Sequence, residues 1–177
     1  MKTVARIFGI ISFLVAILFC VLSIHRAELD KKDIAEDLTQ ANSQIEQFRQ
    51  QVKGTEGETK TYLDGELAKA EKMIADSPKE STYLIVQIFI GVLIALSLAF
   101  VVLLFSKKPA LVTQLLVGAV VVTLVVYFAS PDIERGEYSG LNSRTLALMS
   151  GIPVIVAGLF ALLAARKSAS AKVVVAI

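Results

Sequence analysis

One imidazole, His25, and one thiol, Cys20, are the chain's whole stock of the side chains that most readily ligate metals or act as nucleophiles near neutral pH. A lone cysteine forms no intrachain disulfide and no thiolate cluster, and a lone histidine lacks the axial partner that a membrane haem takes from a facing helix. Cys20 lies within an apolar run, where it reads as a small hydrophobe between helices, and His25 follows that run as an interfacial side chain. Asp132, Glu134 and Glu137 lie close together but lack the regular oxygen-ligand spacing of a calcium loop, so they read as a solvated turn. There is no serine-nucleophile motif, no phosphate-binding glycine loop and no carboxylate pair in an expected cavity. The chain is therefore expected not to be an enzyme, with no cofactor and no metal.

The elements around these residues are those of a membrane protein. The 177 residues are 55% hydrophobic with a mean hydropathy of +0.67, too apolar for an ordinary soluble domain. Four apolar runs, 7–24, 83–105, 110–129 and 146–165, each approach the ~20 residues a spanning helix needs, and none contains Asp, Glu, Lys, Arg or His. The first has the basic flank of a secretory signal in Lys2 and Arg6. Its length and the poor cleavage sites around Cys20 and Ser23 predict an uncleaved span instead.

Charge predicts the orientation. Lys2, Arg6, Lys107, Lys108, Arg166, Lys167 and Lys172 fall on one side of such a bundle, with no acidic residue beside them. Nine basic and thirteen acidic residues in 26–81, and two basic and three acidic in 130–144, fall on the other. Basic residues in short loops resist translocation and acidic ones matter little, so both termini are expected in the cytoplasm. The cytoplasmic lysines and arginines would meet anionic lipid headgroups. The net charge of +2 averages over this polarity, and without a nucleic-acid motif it predicts no nucleic acid partner. Neither Asn42-Ser43-Gln44 nor Asn142-Ser143-Arg144 is a glycosylation sequon, so a prokaryotic inner (plasma) membrane is the expected location.

Between the first two spans the composition turns polar, yet Ile34, Leu38, Ala41, Ile45, Phe48 and Val52 recur at spacings of four and three. Leu63, Leu67, Ala70 and Ile74 form a shorter seam of the same kind. Gly54-Thr55-Glu56-Gly57-Glu58 separates them: Gly54 is expected to close one helix in the left-handed conformation, and Thr55 with Glu58 to open the next as a capping box. Ser77-Pro78-Lys79-Glu80 predicts a helix start at Ser77, and Ser130-Pro131 predicts a short interfacial helix after the third span. The expected fold is an all-α membrane protein: four transmembrane helices, with an extracytoplasmic antiparallel, coiled-coil-like hairpin between spans one and two. Its divisions are 1–26, the first span; 27–81, the hairpin; and 82–177, three spans with a short cytoplasmic apolar tail.

Small residues recur every fourth position as Ser12-Ala16-Cys20, Gly91-Ala95-Ala99 and Ala157-Ala161-Ala165, which permits close helix approach in lipid. Gln87 and Gln114 are expected to serve interhelical hydrogen bonds or interface solvation, and Pro153 to kink the fourth span. The apolar tail 172–177 could add as an edge strand to a partner, with Val175 and Ile177 in alternate pockets, or lie on lipid. The expected function is a non-catalytic accessory or scaffolding subunit of a larger membrane complex, binding other subunits or a second copy. Its docking residues would be the hairpin seams Ile34, Leu38, Ile45, Phe48, Val52, Leu63, Leu67 and Ile74, the face Gly91, Ala95 and Ala99, and the tail residues Val175 and Ile177. The alternative is a small oligomeric channel or transporter subunit with a neutral polar pore; an envelope-stress sensor ranks third. In a Cys20→Ala background, Lys60→Cys is expected to react with an impermeant maleimide on intact cells and Ser106→Cys only after permeabilisation. Reversed labelling would invert the orientation.

Overall fold

The computed structural model describes residues 2–131 and 141–174, with side-chain surroundings for 3–131 and 141–167. Its regular elements are five helices: α1 (Lys2–Lys53), α2 (Glu58–Ala75), α3 (Glu80–Leu103), α4 (Pro109–Ala129) and α5 (Ser143–Val174). There is no strand among the described residues. Helices α1, α3, α4 and α5 are long and apolar enough to cross a membrane. The 52 residues of α1 contain no proline, so one hydrogen-bonded ladder runs from the apolar run into the polar segment. Pro153 sits inside α5, and the helix continues through it. Residues 172–174 extend α5 rather than forming a strand. Val175 and Ile177 lie outside the described residues.

Contacts divide the chain into two compact units, Met1–Glu28 with Thr82–Ile177, and Leu29–Ser81. The first holds the apolar core. On α1 its buried face is a column of small residues, Ala5, Gly9, Ala16, Cys20, Ser23 and Ala27. On α5 the face is Ala147, Ser150, Gly151, Val154, Ala157, Gly158, Ala161, Ala164 and Ala165. The bulk comes from the other two helices, with Tyr83, Val86, Ile90, Leu93 and Phe100 on α3 and Val112 and Val126 on α4. Large side chains thus enter the hollows left by small ones. A Cβ built on Gly9 would lie 2.7 Å from Leu104 Cδ2, and one on Gly158 2.7 Å from Leu116 Cδ1 and 2.9 Å from Phe100 Cζ. One on Gly151 would fall on the Thr123 side chain, 2.7 Å from its Cβ.

The helix ends depart from the sequence expectations in a consistent way. Thr55, Ser77 and Ser130 were each expected to open a helix as acceptors. Each instead closes the preceding one as a donor, to Gln51 O at 3.1 Å, Met73 O at 3.0 Å and Val126 O at 2.7 Å. The last carbonyls of a helix lack their usual i+4 ladder partners or hold them at a frayed end, and a hydroxyl four residues on adds a donor; Gln51 O and Val126 O accept a backbone N–H as well. Consequently α2 begins at Glu58 without a side-chain cap, and α3 begins at Glu80 rather than Ser77. The left-handed residue of the first turn is Gly57, with φ 77° and ψ −151°, and not Gly54. The start of α5 uses a cap the sequence pattern had not singled out: the Thr145 amide donates to Asn142 Oδ1 at 2.8 Å. Most of the loop after Pro131, including Asp132, Glu134 and Glu137, lies outside the described residues.

The two kinds of glycine separate in a stability measurement. Gly151→Ala is expected to cost about 1–3 kcal/mol through overpacking against α4. Gly91→Ala, where no atom lies within 4 Å of the added carbon, is expected to be neutral or stabilising by up to roughly 1 kcal/mol. Reversible unfolding in mixed detergent micelles measures both, and equal losses would contradict this picture of the α4–α5 contact.

Candidate interaction surfaces

Within the unit 29–81, the seam residues are less exposed than most positions of their helices but are seldom covered. Val52 is buried, whereas Ile34, Leu38, Ile45, Phe48, Leu63, Leu67 and Ile74 remain half-buried, and α2 buries no residue fully. A groove of about 500 Å³ is lined by Ala41, Ile45 and Phe48 of α1 and by Ala70, Met73 and Ile74 of α2, with Gln44, Gln47 and Gln51 along its polar side. Arg49 ties the two helices together. Its guanidinium donates to Glu46 at 2.7 Å within α1 and to Glu71 of α2 at 2.5 Å. The hydrogen bond to Glu71, and then the charge of Glu46, raise the Arg49 pKa above an already high value. A raised pKa means the cation is retained until pH climbs past it, so this guanidinium does not titrate at any working pH. Lys31 and Glu80 form a further ion pair in this unit at 2.9 Å. The Arg49 pairs are solvent-exposed, while in the other pair Lys31 is half-buried and Glu80 exposed; such pairs orient helices more than they hold them.

In the bundle unit, the small faces of α1 and α5 point inward and that of α3 does not. Gly91 and Ala95 are exposed and Ala99 is half-buried, while the buried side of α3 carries the larger residues. Gln87 Nε2 donates to Glu28 Oε2 at 3.2 Å, an interhelical hydrogen bond between α3 and α1. Glu28 follows the first apolar run and was not among the partners the sequence suggested for Gln87. Gln114 on α4 is exposed.

Two arginines bind helix ends to their neighbours. Arg6 of α1 donates from Nε to the Leu104 carbonyl at 3.3 Å, and its Cζ stands 4.7 Å from the centroid of the Phe105 ring. It thus satisfies a carbonyl at the negative end of α3 and stacks on the residue that leaves it. At the other end of the bundle, Arg144 of α5 lies over Tyr127 of α4, 5.4 Å from the ring centroid. Sequence reading used Arg6 only as a topological charge, because no local spacing links it to a carbonyl 98 residues away.

Among the described residues no group of three or more His, Cys, Asp or Glu is placed to hold a metal ion. His25 is exposed and Cys20 is buried beside Ser150. Compared with protein-family models, curated proteins and solved structures, the chain matches none. Its functional reading therefore comes from these surfaces alone.

Arg6→Ala is expected to lower bundle stability by about 1–2 kcal/mol, from the lost helix-end charge and ring contact together. Arg6→Lys should recover the charge but not the stacking. Unfolding in mixed micelles reads both, and an Arg6→Ala protein as stable as the wild type would remove the clamp.

Proposed function

We propose that the protein is a non-catalytic accessory or scaffolding subunit of a larger membrane complex, multi-pass in a prokaryotic inner membrane. In this reading both termini are cytoplasmic, and 29–81 is an extracytoplasmic, antiparallel, coiled-coil-like hairpin that grips another subunit or a second copy. The observation that carries the reading is the uncovered seam. A heptad stripe excludes water when it is paired along its length, yet here Ile45, Phe48 and Ile74 remain half-buried around an apolar groove. Two helices of this size make a thin core, and a third or fourth helix laid into the groove would complete it. The outward small-residue face at Gly91 and Ala95 offers a second contact of the kind helices use in lipid, where close backbone approach replaces water expulsion.

The reading is tested by purifying the full chain from its native membrane in mild detergent and measuring the mass of the particle. The expected result is an assembly of defined composition that Ile45→Asp or Phe48→Asp dissociates while the helical content of the subunit is kept. A lone monomer, or an assembly indifferent to both substitutions and to Gly91→Leu, would overturn it.

A further inference from the structure

A second groove, of about 300 Å³, opens in the bundle unit between the first turns of α1 and the far apolar turns of α5. Val4 and Ala5 line one side, Phe160 and Leu163 the other, and Lys167 completes the lining. Phe160 is braced from behind by Phe8, with ring centroids 5.6 Å apart and planes inclined by 22°, so this wall is fixed by ring stacking. Four of the five lining side chains are hydrocarbon and the fifth is an exposed ammonium. The volume is at the lower limit for small-molecule sites, a slot for a flexible chain rather than a room for a folded cofactor. The charges of the neighbouring sequence are of one sign: residues 2–25, 104–109 and 166–174 contain lysines and arginines and no acidic residue.

An apolar slot with a cation at its edge, in a field of cations, selects a molecule that joins a hydrocarbon chain to an anion. We propose that this groove binds an anionic glycerophospholipid of the bilayer, with an acyl chain along Val4, Ala5, Phe160 and Leu163 and the phosphate on Lys167. A lysine stem lying on apolar surface with its ammonium at headgroup level is the usual disposition of such a side chain at a membrane boundary. Headgroup selectivity follows from the charge of these segments: a zwitterionic lipid brings a second cation towards their lysines and arginines, and a net anionic lipid does not. The inference rests on reading α1 and α5 as membrane spans and is independent of which protein partner the chain assembles with.

The test is native mass spectrometry of the full-length protein in a neutral detergent, titrated with phosphatidylglycerol and with phosphatidylcholine of identical acyl chains. The wild type is expected to retain phosphatidylglycerol about fivefold better, the equivalent of the roughly 1 kcal/mol that one lysine contributes near an anionic surface. Lys167→Gln should lower phosphatidylglycerol retention more than phosphatidylcholine retention, and so narrow the preference. Leu163→Ala, at a half-exposed position where folding is not at stake, should weaken both lipids alike and keep their ratio. Equal retention by the wild type, a full preference in Lys167→Gln, or no effect of Leu163→Ala on either lipid would overturn the site. A monomer that keeps the lipid preference would retain the groove while removing the subunit reading, so the two failures are distinguishable.

Discussion

Between helices surrounded by lipid there is no water to expel, and association rests on how closely two backbones can approach. The packing of this bundle is of the kind that constraint favours. Gly9, Gly151 and Gly158 each stand where an added carbon would meet a side chain of the neighbouring helix, and the alanine column of α5 continues the same low relief. The relief is answered by bulk on α3 and α4, so the core is a set of large residues seated in small ones rather than a uniform apolar filling. Two hydroxyls in the core conform to this plan. Thr123 donates to Ala119 O at 2.7 Å and Ser150 to Leu146 O at 2.8 Å, satisfying themselves within their own helices.

The unit 29–81 is built from different residues. Its seams are aliphatic and aromatic, the kind that draw helices together by expelling water, and its sequence is dense in both signs of charge. Yet the seam is only half covered, and the most definite tie between its helices is the Arg49–Glu71 pair, which is solvent-exposed. The two units thus use opposite chemistries of contact in one chain, small residues in one and large apolar residues in the other.

Much of this was legible in the order of residues because length and periodicity act locally. Four uncharged runs of spanning length are four apolar helices in the structure, and the alternation from Ile34 to Val52 marks half-buried and buried positions in the polar part of α1. What misled were the hydroxyls at Thr55, Ser77 and Ser130. Ser and Thr can donate or accept, and a pattern search for helix starts considers only the accepting role. At these sites a carbonyl of the helix just ending takes the hydroxyl proton, beside a backbone N–H at Gln51 and Val126. Asn142, whose spacing to the Thr145 amide was available to the same search, went unnoticed because apolarity only begins near Leu146. The inward or outward aspect of the small-residue faces was not readable at all. Ala157 and Gly91 stand in similar surroundings in the sequence, and only the positions of the neighbouring helices place one inside and the other on the surface.

The most enclosed of the four apolar helices is α5. Its apolar window is 44% buried, against 22–28% for the other three, and it supplies the hollows into which Phe100, Leu116 and Thr123 fit. Without α5 those side chains would lose their seats, and α1, α3 and α4 would be left as an open trough. The closure of the bundle thus hangs on one helix, and damage to its small-residue face would be felt by all three of the others.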